Sequence, residues 1–244
     1  MCSFSFKHFL IPLISLSLLQ STLSSASIST NTNTTASQAD NFTADVILSS
    51  SADMTLGAIT TSTSNQGTLG LNNVITTGTI GSTGSIKALN IIGSTTTLGG
   101  AVSATTTTIS NGATLATGSH ILTSTVVNNG TLTLGTAAIT GAISGTGTVD
   151  VIEDYTAGAA LSTTTLNISA TKTLNLNAAA SIISGTTTLN GSSASIVSNK
   201  DTDLGNVVIV DDSTFTIGTT YTLVDMTGSD LTVGTITGPT GTTL

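Results

Sequence analysis

A short unit keeps returning along this chain, and nothing else limits its fold so tightly: a turn glycine, a threonine, then alternating aliphatic residues. Gly67-Thr68-Leu69-Gly70-Leu71, Gly130-Thr131-Leu132-Thr133-Leu134 and Gly147-Thr148-Val149-Asp150-Val151 are copies. Lys172-Thr173-Leu174-Asn175-Leu176 keeps the alternation without the glycine. A second form runs Gly-x-Ile/Val and then a small polar residue. It occurs at Gly57-Ala58-Ile59-Thr60, Gly100-Ala101-Val102-Ser103, Gly141-Ala142-Ile143-Ser144 and Gly234-Thr235-Ile236-Thr237. Successive side chains of a strand point to opposite faces, so an aliphatic at every second position makes one face apolar and leaves Thr and Ser on the other. Thr is β-branched and suits an extended backbone even where it meets water. Gly and Asn supply the positive-φ corners between strands.

Gly112, Gly130 and Gly147 follow one another at nearly equal intervals. Their spacing falls in the range of coils stacked on one another, where the period is roughly 20 residues and a single coil cannot bury its apolar face alone. We therefore expect an all-β chain folded as a parallel β-helix over residues 43–244. Some ten coils of about 20 residues, spaced about 4.8 Å apart, would make a rod of order 50 Å. Sandwiches and antiparallel barrels usually carry aromatic anchors and two-residue hairpins. This chain has no Trp and only 2 Tyr. Its core is expected to be stacked Leu, Ile, Val and Ala. The acidic clusters Asp150-Val151-Ile152-Glu153-Asp154-Tyr155 and Asp201-Thr202-Asp203 read as loops that leave the coil.

Composition narrows the function classes. Only 7% of residues are charged, and the basic residues are four lysines: Lys7, Lys87, Lys172 and Lys200. Without Arg there is no electrostatic footprint for nucleic acid. The 54 Thr and 33 Ser residues leave few strong helix formers. With 38% hydrophobic residues, the chain is also a poor fit to charge-driven disorder. Nine of its 12 acidic residues lie at Asp150 or beyond, and Lys87 is the only formal charge between Met54 and Val149.

The amino terminus reads as a secretory signal peptide over residues 1–26. Lys7 and His8 are followed by the apolar run Phe9 to Leu19, then by Ser24-Ser25-Ala26, which fits a small-x-small cleavage site. The run is shorter than the roughly 20 residues a membrane-spanning helix needs. Cleavage would remove Cys2 and Lys7, so stability would rest on packing and repetition without disulfides. Residues 27–42 are polar and aperiodic and read as a leader.

No catalytic, cofactor-binding or metal-ligating residues are assigned from the sequence. His120 is the only histidine after the signal segment and reads as a turn residue; Ser119 beside it does not make a nucleophile–base pair by adjacency. Asp211-Asp212 invites comparison with the paired carboxylates of polysaccharide-cleaving β-helices, yet it follows Val207-Val208-Ile209-Val210 where Asp commonly caps a turn. Asp201-Thr202-Asp203-Leu204-Gly205 opens like a calcium loop, fails at the fifth position and has no Glu at the twelfth. That leaves room for no more than weak, adventitious Ca²⁺ binding. Glycan-acceptor triplets at Asn41, Asn129, Asn167 and Asn190 arise readily by chance in so Ser- and Thr-rich a chain.

Gly218-Thr219-Thr220-Tyr221-Thr222-Leu223-Val224-Asp225 resembles a pattern near the end of passenger domains of bacterial autotransporters. The Gly-Thr-Leu-x-Leu units resemble passenger repeats of the same class. The Thr, Ser, Asn, Ala and Gly bias, with Asn128-Asn129-Gly130-Thr131-Leu132, is similar to the large surface antigens of Rickettsiales. The resemblance covers most of residues 46–244. It implies a right-handed β-helix at the cell surface or secreted, acting in adhesion, with a host-cell surface protein or glycan as partner. Autotransporters end in a membrane barrel of antiparallel strands about ten residues long; no such amphipathic strands occur here, so the region reads as passenger-like and lacking its barrel. An uncapped solenoid end would offer open sheet edges for self-association.

Two other functions compete. Thr-x-Thr pairs at Thr61-Thr63, Thr77-Thr79, Thr131-Thr133, Thr214-Thr216 and Thr235-Thr237 suggest an ice-binding solenoid. Their uneven spacing argues against a regular plane. A carbohydrate-active β-helix enzyme would rest on Asp211 and Asp212.

Overall fold

The computed structural model describes residues 26–30, 35–38, 45–50, 54–61, 64–72, 75–210 and 220–238. Residues 1–25 of the expected signal peptide 1–26 and the pair Asp211-Asp212 lie outside them. Among the described residues there are strands and turns and no helix, hence no helix long and apolar enough to cross a membrane. Every described strand pairing is parallel, and the strands stack as a β-solenoid. Antiparallel packing of two sheets is thereby excluded for these residues.

Three sheets build the coil wall. The longest runs from Thr35–Gln38 to Leu231–Thr232 and holds 13 strands; a 7-stranded sheet covers the earlier coils from Ala26–Thr30 to Ile143–Ser144; a 4-stranded sheet follows through Tyr155–Thr156, Thr173–Asn175, Ser195–Ser198 and Val224–Met226. As far as Ser195–Ser198 the chain alternates between the long sheet and one of the other two, so each coil lays a strand in each of two sheets on the coil before it.

The register puts like residues on one another. One column of the long sheet passes through Leu115, Leu132, Val149 and Leu166. These four side chains are fully buried. A parallel column passes through Leu134, Val151, Ile168, Leu189 and Ile209. A third joins Ile59, Ile80, Val102, Leu122 and Ile139 across a corner. Burying such stacks is what drives the fold, because each rung removes its neighbours' apolar surface from water. The core is aliphatic as expected, with Tyr155 its one aromatic among the described residues.

Coil length is not constant. Thr114, Thr131, Thr148 and Thr165 succeed each other at one fixed interval, whereas Val207 reaches its partner Ile236 only after a much longer stretch of chain. The surplus is taken up at corners and at bulges. Opposite Ser124, the strand Val102–Ile109 carries an extra residue, and opposite Thr164 the strand Ser181–Asn190 does the same. The Gly-Thr unit is likewise not tied to one wall. Its copy at Gly67 sits in the 7-stranded sheet, those at Gly130 and Gly147 enter the long sheet, and the copy at Lys172 enters the 4-stranded sheet.

Of the acidic clusters expected as loops, only Ile152, Glu153, Asp154 and Asp201 lie between strands; the rest is part of the wall. Asp150 and Val151 close the strand Thr148–Val151, Tyr155 opens Tyr155–Thr156, and Thr202 and Asp203 form a strand of their own. The reason is alternation: Val149, Val151 and Tyr155 point inward and are buried, while Asp150 takes the outward position between the two valines. The Tyr155 phenol oxygen accepts the Ile139 N–H at 2.9 Å, which satisfies a backbone donor where the coil turns.

Candidate functional site

The outer face of the long sheet is where the chain is most regular. Outward positions are read from the strands' alternation, since each flanks a buried residue. One register column there consists of Thr95, Thr114, Thr131, Thr148, Thr165 and Thr186 in unbroken succession. It continues through Asn206. All six threonines are half-exposed. Two residues along each strand lies a second column: Thr97, Ala116, Thr133, Asp150, Asn167 and Thr188. The result is an array repeating about every 4.8 Å along the axis and about 7 Å along the strands.

In the second column Asn167 Nδ2 donates to Asp150 Oδ1 at 2.8 Å, one coil to the next. This bond makes the single carboxylate of the array part of a ladder rather than an isolated charge. Each first-column Thr offers a hydroxyl and a methyl group, so the array presents neutral donors, acceptors and small apolar spots in alternation.

Uneven sequence spacing of Thr-x-Thr pairs proved the wrong guide to this plane. Register, not sequence interval, aligns the rungs, and corner residues absorb the difference. Of the pairs singled out, Thr131-Thr133 occupies ladder positions, and Thr237 alone of its pair has a register partner, Val208. Thr61 and Thr77 are buried instead, and Thr63 and Thr214-Thr216 lie outside the described residues. The rungs that sequence reasoning missed are the runs Thr95-Thr96-Thr97 and Thr186-Thr187-Thr188. In such a run the outer two threonines face water and the middle one enters the core. Thr96 and Thr187 are fully buried. Thr187 Oγ1 donates to the Leu204 carbonyl at 2.7 Å, whereas Thr96 Oγ1, like Thr77 Oγ1, is buried without a hydrogen-bond partner.

The other singled-out residues serve the backbone. His120 lies at a bend closed by its own N–H on the Thr117 carbonyl at 3.1 Å, and Ser119 is exposed beside it. Asp203 Oδ1 accepts the Gly205 N–H at 2.9 Å and caps its own turn, while Asp201 Oδ1 accepts the Asp230 N–H of the next coil at 3.3 Å, so both carboxylates of the calcium-loop look-alike serve the backbone. Among the described residues no three His, Cys, Asp or Glu side chains gather as a metal site. Glu153 pairs with Lys172 at 2.6 Å on the surface, and this bond holds the Lys172 ammonium above its ordinary pKa. Asp154 Oδ1 accepts the Thr173 N–H at 2.8 Å.

Asn129 Oδ1 accepts from Thr146, and Asn190 Nδ2 donates to the Ile168 carbonyl at 2.8 Å, so with Asn167 three of the acceptor-type asparagines tie coils together. No family model, curated protein or solved structure matches this chain.

Proposed function

We propose that this chain is a non-catalytic, exported or cell-surface solenoid of the autotransporter-passenger kind, and that the threonine face of its long sheet is the adhesive surface. The observation that carries the reading is the unbroken column Thr95, Thr114, Thr131, Thr148, Thr165 and Thr186 on a parallel sheet. The hydroxyls and methyls of that neutral first column suit a sugar face or an uncharged protein strand, which recognise them by hydrogen bonds and small apolar contacts. The described carboxylates support the non-catalytic part, since Asp154, Asp201 and Asp203 accept backbone N–H groups. Export rests on residues 1–26 and their signal-peptide pattern.

The test has two arms. Surface proteolysis of intact cells reports location; exclusive recovery from the cytosol would end the reading. Binding of the purified chain to host-type cells, compared with Thr131→Lys/Thr165→Lys, reports the face. Equal binding by both proteins would remove the ladder as the adhesive surface.

A second reading is favoured by the same array. A two-column threonine lattice can hold water in an ordered net, which is what an ice-binding solenoid needs. Ala116, Asp150 and Asn167 interrupt the second column and weigh against it. Thermal hysteresis decides: a value indistinguishable from buffer removes ice binding and leaves the adhesive reading standing.

A further inference from the structure

Asn-Gly occurs three times, at Asn111-Gly112, Asn129-Gly130 and Asn190-Gly191. In each, the glycine nitrogen is a nucleophile with no side chain to shield it from the neighbouring asparagine carbonyl carbon. The fold treats the three dipeptides very differently.

Asn129 is pinned. Its Oδ1 accepts from Thr146 N–H at 3.4 Å and Thr146 Oγ1 at 3.3 Å, and the Gly130 N–H donates to Asn128 Oδ1 at 3.2 Å. Asn190 is pinned as well, since its Nδ2 donates to Ile168 O at 2.8 Å and the Gly191 N–H donates to Val210 O at 3.0 Å. Both glycines are buried. Asn111 and Gly112, by contrast, are exposed at the tip of a turn closed by Ala113 N–H on Ser110 O at 3.0 Å. Neither the Asn111 side chain nor the Gly112 N–H bonds to any described residue. A Cβ placed on Gly112 would meet nothing within 4 Å.

We propose that Asn111 is a fold-selected site of spontaneous deamidation. The Gly112 nitrogen gives up its proton to solvent base and bonds to Asn111 Cγ. The Cγ–Nδ2 bond breaks and ammonia leaves, giving a succinimide. Water opens either carbonyl of that ring to aspartate or isoaspartate. One water is consumed and one ammonia released, with no oxidant, reductant or enzyme. The new carboxylate appears just before Thr114 of the ladder, in the stretch between Met54 and Val149 whose only formal charge is Lys87. An ageing molecule thus acquires a negative charge at the margin of its most regular face. The inference is independent of what that face binds.

The purified full chain is incubated in mildly alkaline buffer at body temperature and mapped by peptide mass spectrometry. Deamidation at Asn111 is expected to run at least about tenfold faster than at Asn129 or Asn190 while the chain is folded, and the gap should close in denaturant. Gly112→Ala, checked for folding by circular dichroism, should slow the Asn111 reaction toward the rate of the pinned sites. Equal rates at all three sites in the folded chain, an intact Asn111, or no effect of Gly112→Ala would each overturn the proposal.

Discussion

Thr163 Oγ1 donates a 2.7 Å hydrogen bond to the carbonyl of Gly147, one coil below. The same carbonyl receives the Thr165 N–H at 3.3 Å. Thr163 is buried beside the irregularity where the strand Ser181–Asn190 carries its extra residue. A hydroxyl that binds across coils therefore holds the register where the ladder locally breaks. Thr163→Val keeps the volume and removes the donor. It should lower stability by about 1–2 kcal/mol in chemical denaturation, while Thr163→Ser should lose less because the donor remains. Equal losses for Val and Ser would mean that shape, not the hydrogen bond, matters at this position.

Thr96 is the opposite case. Its hydroxyl is fully buried with no partner. Thr96→Val should raise stability by about 1 kcal/mol, since an unsatisfied buried hydroxyl is replaced by a methyl of like size. The denaturant midpoint of this single variant against the parent checks it, and a lower midpoint would contradict it.

Gly135 sits where a side chain has no room: a Cβ there would collide with the Gly118 carbonyl of the coil below. Gly135→Ala should cost more than about 2 kcal/mol, by forcing adjacent coils apart. Gly112→Ala is the control. Its φ of +79° penalises alanine, but nothing obstructs the methyl, so its cost should stay near about 1 kcal/mol. Thermal melts of the two variants, run in parallel, separate steric collision from backbone strain.

Alkaline pH should weaken the fold through Tyr155. Burial raises its phenol above the ordinary value of 10.0, and the Ile139 N–H on its oxygen offsets this only in part. The folded chain keeps the phenol neutral after the unfolded chain has begun to ionise. That contribution is complete below about pH 10 and is lost as pH rises through the folded value. Lys172 adds a change of the same sign, since Glu153 holds it charged; with its ammonium open to solvent, it adds little. Tyrosinate absorbance should show a late-ionising component that disappears in Tyr155→Phe. A titration unchanged by that substitution would contradict the burial argument.

Alternation made the inward residues legible. Leu132, Val149 and Leu174 read directly as core because each stands two positions from another aliphatic. Parallel stacking was legible too, because short units recurring at a coil's length have no other way to bury a face. The assignment of strands to sheets was not. Lys172-Thr173-Leu174 and Gly130-Thr131-Leu132 look alike locally and enter different sheets, since position on the coil is set by how many residues the preceding corners consume. Asp150 hid its place for a related reason. A charge beside Glu153 and Asp154 suggests a loop, and only the stacked Asn167 reveals an outward rung. The threonine face was only partly legible: Thr114, Thr131, Thr148 and Thr165 recur at one interval, but Thr95 and Thr186 do not, and only backbone register puts them in the column.

One column of outward threonines climbs by one coil at a time, whatever the sequence distance. Nitroxide pairs placed by cysteine substitution at Thr95 with Thr148, Thr165 or Thr186, on a Cys2→Ser background, measure that climb by electron–electron dipolar spectroscopy. These pairs span three, four and five coils. Stacked register predicts backbone separations of about 14, 19 and 24 Å, an equal step of about 4.8 Å per coil. The step from Thr165 to Thr186 should be no longer than the step from Thr148 to Thr165, although it covers more of the chain. Distances that scale with residue count, or that fail to increase monotonically along the series, would contradict the stacked column and the face it builds.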